Sequence, residues 1–75
     1  MSATDDRREL LAKHASVMRM VQEDCEADAA QLDRTPFTPL GMGTALGQML
    51  AQVKAVAKTC EALAEHLLAD EKVEA

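Results

Sequence analysis

Both prolines, the only phenylalanine and two of the three glycines of this 75-residue chain fall within residues 34–43, RTPFTPLGMG. Elsewhere Gly47 is the sole remaining glycine. A chain punctuated once, near its middle, has room for two long uninterrupted elements. The apolar residues on either side say what those elements are. In the first half Leu11, Met18, Cys25 and Leu32 recur seven apart, with His14, Val21 and Asp28 between them and Leu10 and Val17 alongside. In the second half Leu46, Val53, Cys60 and Leu67 form one row. Met42, Met49, Val56 and Leu63 form another, with Leu50, Ala57 and Ala64 beside them. Apolar residues at this period, interspersed with Ala, Glu, Lys and Gln, predict two amphipathic helices. The expected fold class is all-α: an antiparallel two-helix hairpin, coiled-coil-like, forming a single domain over residues 1–75.

Local chemistry sets the expected boundaries. Thr4 is placed to cap helix 1, with Asp5 and Asp6 putting negative charge at its positive end. Pro36 disfavours helical geometry at Thr35, so helix 1 should cover about residues 5–33. A turn over 34–38 follows, in which Thr38 caps helix 2 and Pro39 takes its first position, giving a helix over about 39–69. Phe37 precedes that cap and Met42 lies four residues into the helix, the spacing of a hydrophobic staple. Residues 70–75 should fray. Gly41, Gly43 and Gly47 each cost up to about 1 kcal/mol relative to alanine. Either they weaken the first turn of helix 2, or the four-residue spacing of Gly43, Gly47 and Ala51 lets another backbone approach.

Helices of matched length pair positions whose numbers sum to about 74, joining a to d positions as antiparallel packing requires. The layers are then Leu32–Met42, Asp28–Leu46, Cys25–Met49, Val21–Val53, Met18–Val56, His14–Cys60 and Leu11–Leu63. A later start of helix 2 would favour a sum of about 81, with His14 opposite Leu67 and Cys60 opposite Val21. The Thr38–Pro39 cap favours the first. Neither brings Cys25 opposite Cys60, so both thiols are expected to be free.

One helix cannot hide all that helix 2 presents. Leu46, Met49, Leu50, Val53, Val56, Ala57, Cys60, Leu63, Ala64 and Leu67 make a face wider than a single neighbour covers. Each large apolar side chain left in water forfeits about 1.5–3 kcal/mol, and a whole domain is stable by only about 5–15 kcal/mol. These residues are therefore the expected partner or oligomer interface. Two hairpins closing a four-helix bundle as a homodimer is one solution. Docking on a different protein is the other, with Met18, Met20, Met42 and Met49 supplying adaptable contacts.

Composition narrows the partner. The formal charge is -5, from 13 acidic and 8 basic side chains, and one residue is aromatic. That balance opposes phosphate backbones and anionic membranes and removes base stacking, so neither nucleic acid nor membrane is expected. The amino terminus, MSATDDRREL, lacks an apolar signal region, and a reducing, cytoplasmic location is expected. The two cysteines form no CxxC and no zinc-type cluster. His14 and Cys60 could act as base and nucleophile or as two metal ligands, with His66, Glu61 and Glu65 further along. No third group is placed to orient the imidazole, and a half-buried histidine beside a thiol explains the pair as well. No catalytic, cofactor-binding or metal residue is assigned; the expectation is a non-enzymatic protein with no cofactor and no small-molecule substrate. Asp28 is either exposed at the hairpin's end or a register-setting carboxylate. The acidic stretch EDCEADAAQLD is a solvated face or the patch that meets a basic partner.

Residues 36–63, PFTPLGMGTALGQMLAQVKAVAKTCEAL, resemble the second helix of small helical accessory proteins of actinobacteria and their phages. The shared features are a Pro-Phe-Thr-like start, a Gly/Ala first turn and a long Ala/Leu/Val-rich helix. The resemblance implies an accessory protein, cellular or viral in origin, that binds a cytosolic host protein; it implies no catalytic or ligand residues. Secreted helical hairpins with Trp-x-Gly at the turn are a second comparison, which fails because the chain has no tryptophan.

Overall fold

The computed structural model describes residues 3–37 and 41–74. It contains α1, Ala3–Arg34, and α2, Gly41–Glu74, packed side by side as a hairpin 55 Å long and 17 by 14 Å across. Asp5 and Asp6 sit in the first turn of α1 and Arg34 in its last, each favourable to the helix dipole. α1 ends where Pro36 requires. Thr35 closes it by donating its N–H to the Leu32 carbonyl (3.2 Å) and its hydroxyl to that of Gln31 (2.8 Å). Two carbonyls without helical partners are thereby satisfied. The expected cap at Thr38 and helix start at Pro39 lie outside the described residues.

Three expectations about the helices need correction. Thr4 lies inside α1, and its hydroxyl accepts from the Arg7 guanidinium (3.2 Å). α2 does not fray at 70 but continues to Glu74. Two arginines of α1 hold that end. Arg7 grips the Glu71 carboxylate (2.6 and 3.3 Å), and Arg8 donates to the Glu71 backbone carbonyl (2.9 Å). The register differs as well. Arg7 with Glu71, Arg19 with Glu61 and Glu26 with Lys54 are pairs whose numbers sum to 78 or 80. The layers built on 74 therefore do not form, and the hairpin lies close to the alternative.

The seam itself also turns. On α1 the expected row Leu11, Met18, Cys25 and Leu32 does face α2, but Ala15, Gln22 and Ala29 alternate with it, not His14, Val21 and Asp28. On α2 the inward row is Gly43, Gly47, Leu50, Lys54, Ala57, Glu61, Ala64, Leu68 and Glu71. Among the described residues the fully buried ones are Ala15, Cys25, Ala57 and Ala64, the alanines 4%, 3% and 2% exposed. Small side chains at these positions let the two helices approach closely there. His14 and Asp28 are exposed.

At the turn, the glycines do not bring two backbones together. A β-carbon on Gly43 would meet the Phe37 ring at 3.2 Å, whereas one on Gly41 or Gly47 meets nothing within 4 Å. Phe37 thus lies on Gly43, one residue beyond the expected staple partner Met42.

A candidate protein-interaction face

The hairpin has two unlike sides. In an antiparallel pair, the positions just after each seam residue share one side and those just before share the other. The first side is charged. Arg19 donates to Glu61 (2.9 Å) and Glu65 (3.3 Å), and Lys54 reaches Glu26 (2.8 Å). Gln22 adds a bond to the other oxygen of Glu61 (2.7 Å) while donating to its own Met18 carbonyl. The Gln22 hydrogen bond, and then Arg19, holds the Glu61 carboxyl below its ordinary range against partial burial that opposes this. Arg7 does the same for Glu71, and Glu61 raises the Arg19 guanidinium. The carboxylates of Glu61 and Glu71 are 18% and 16% exposed and well bonded, so this side is a finished surface.

The opposite side is open. α2 lays along it Met42, Leu46, Met49, Val53, Val56, Cys60, Leu63 and Leu67, spaced alternately four and three apart. A row from 42 to 67 runs about 38 Å. Seven of the eight are more than a third exposed, Val56 at 64% and Met49 at 60%; Cys60 is half-buried. α1 contributes Leu10, His14, Val17 and Val21, then Asp24, Asp28 and Gln31. Two grooves join the helices across this side. One is lined by Leu10, Leu11, Leu67 and Asp70, the other by Asp28, Gln31, Phe37, Leu46 and Leu50. The face is thus apolar over residues 42–67 of α2 and, His14 apart, the first half of α1, with Arg7, Asp70 and Glu71 at one end and Asp24 and Asp28 bordering its remaining quarter.

Of the residues expected to form the interface, the structure separates two sets. Leu46, Met49, Val53, Val56, Cys60, Leu63 and Leu67 lie on the open side. Ala57 and Ala64 do not: they are buried between the helices, 3% and 2% exposed, and Leu50 is half-buried among them, reaching only the floor of a groove. On α2 the hairpin also leaves exposed, Cys60 apart, the two rows expected to hold it together. Among the described residues no three His, Cys, Asp or Glu side chains gather closely enough to hold a metal. His14 is exposed on α1 and His66 pairs with Asp70 on its own helix (3.5 Å). Cys25 and Cys60 are both free thiols.

Sequence reasoning passed over Ala15, Gln22, Ala29, Lys54 and Glu71, and met Glu61 only as a candidate ligand, all of them turned toward the other helix. The signal was present as a third heptad row, Gly43, Leu50, Ala57 and Ala64, one residue after Met42, Met49, Val56 and Leu63. No described helix is long and apolar enough to cross a membrane. Compared with family models, with curated proteins and with solved structures, the chain matches none.

Proposed function

We propose that the protein is a non-enzymatic protein-interaction module whose working surface is the open side of the hairpin. The observation that carries this is the exposed row from Met42 to Leu67. A hairpin whose buried residues, among those described, are three alanines and a cysteine gains little from its own core, while burial of each large apolar side chain in the row would contribute about 1.5–3 kcal/mol. Most of the apolar stabilisation available to this chain is outside it. A contiguous apolar strip of this length on a small chain marks a binding surface.

A second reading concerns the same face. Asp24 and Asp28 border it, and an amphipathic helix from another protein with basic residues along one edge would satisfy both. This is the host-binding role that the resemblance of residues 36–63 implies.

A photo-crosslinking amino acid at Val53, on the open side, tests the proposal in the cells that make the protein. The expected result is a defined protein adduct, with itself or with another chain, that the same group at Ser16 on the charged side does not give. No adduct at Val53, or equal yields at both positions, refutes the reading.

A further inference from the structure

Taking that reading as its basis, we infer that the occupant of the open face is a second copy of this chain. The α2 row packs antiparallel on the same row of its copy, about a two-fold axis passing between Val53 and Val56.

Surface area argues for a copy. A compact monomer of this mass exposes about 4500 Å², but the chain exposes 5687 Å². Its radius of gyration is 17.0 Å, where a compact chain of this length has about 11 Å. Two separated copies expose twice 5687 Å²; a compact protein of their combined mass exposes about 7500 Å². Hiding only the excess of about 1200 Å² on each copy would bury about 2400 Å² in total, which lies within the range of obligate homodimers. A short peptide helix laid along the row would cover far less.

The row is also its own complement. Its alternating spacing of four and three reads the same in both directions, so the two-fold sets Val53 against Val56, Met49 against Cys60, Leu46 against Leu63 and Met42 against Leu67 of the second copy. Every pair is apolar, and the one large residue without a large partner, Met49, meets the smallest member of the row. Packing α2 on α1 of the copy would instead set the apolar α2 row against the half of α1 that carries Asp24 and Asp28, carboxylates for which the row offers no partner. The contact is therefore isologous, and each copy uses one and the same strip.

Charge makes a further demand. The Glu26–Lys54 pair sets residues near 26 of α1 beside the middle of the α2 row. The two Asp24 carboxylates then approach one another at the rim of the two-fold, between copies that each carry a formal -5. Apolar association of like-charged copies tightens as salt screens them, whereas capture of a basic partner weakens.

Disulfide mapping of the purified full-length chain, with sedimentation to give its mass, tests the arrangement. In a Cys25→Ala background, Met49→Cys should cross-link to Cys60 of the second copy almost completely on mild oxidation. The same background without Met49→Cys should not cross-link, because antiparallel packing keeps the two Cys60 thiols about 16 Å apart along the axis. Met42→Cys, which faces Leu67, should not cross-link either. Position 49 is exposed in the hairpin, so helicity by circular dichroism should be unchanged. The unmodified chain should sediment as a dimer, dissociate less as salt is raised, and lose affinity about a hundredfold or more with Val56→Asp. Cys60-to-Cys60 cross-linking would mean parallel packing and would overturn the inference. So would a monomer throughout the micromolar range; if the Val53 adduct were then with another protein, the interaction-module reading would stand without it.

Discussion

Two rows of α2, one residue apart, have opposite fates. The row through Leu50, Ala57 and Ala64 is packed against α1, while the row through Met42, Met49, Val56 and Leu63 is more than half exposed. By hydrophobicity the order should be reversed. The difference teaches that helix pairing in this chain is governed by how closely two backbones can come together. Small side chains give a continuous close contact, and polar neighbours such as Gln22, Glu61 and Lys54 can then bond across the seam. The large side chains are relegated to a surface where a broader, less intimate contact suffices.

The contrast can be broken most sharply with a charge. Ala64→Asp places an unpaired carboxylate in the seam and should cost about 3–5 kcal/mol, enough to abolish the cooperative thermal transition of so small a chain. Leu63→Asp, one residue earlier, should leave dilute samples helical and remove only association. Equal loss of helicity in both would show that the two rows are not distinct.

Size is the next lever. Ala57→Leu overfills a position that is 3% exposed and should lower stability by about 1–3 kcal/mol, measured by denaturant titration. Ala55→Leu, at an exposed position of the same helix, should change it by less than about 0.5 kcal/mol.

Glycine replacements sharpen the comparison at the turn. Gly47→Ala meets open space and should raise the melting temperature through a gain of up to about 1 kcal/mol in helix propensity. Gly43→Ala presses on Phe37 at 3.2 Å, so the ring must shift and the gain should be smaller or reversed. A larger gain at 43 than at 47 would contradict the packing described.

The smallest effect concerns the charged side. Glu61 and Glu71 have carboxyls held below their ordinary range by Gln22 with Arg19, and by Arg7. A lowered folded-state value means that the unfolded chain binds protons first. The stabilisation is therefore full above the ordinary carboxylate value and is lost as the pH falls through the lower, folded one. Thermal melts of Glu61→Gln should show a shallower decline with acid than the parent chain; parallel curves would show that the carboxylate contributes nothing.

Much of the fold could be read in advance, for identifiable reasons. Pro36 stops α1 because its ring excludes helical geometry at Thr35, and no distant contact is needed to enforce that. The two long helices follow from heptad rows in which almost every residue is a good helix former. The excess of apolar surface on residues 42–67 was equally legible, since it is a matter of counting side chains on a face. Which face was in surplus was not. Leu50, Ala57 and Ala64 were grouped with it because they are apolar, and hydropathy carries no information about the distance between helix axes.

Sequence by itself determined the number of helices, the place of the turn and the existence of more apolar surface than one neighbour could cover. These depend on backbone geometry and local periodicity, which act within a few residues. Tertiary structure alone decided the register, the small-residue seam and the side left open. Those depend on how near α1 and α2 can approach, and on whether Arg7, Arg19 and Lys54 then reach carboxylates more than 25 residues away.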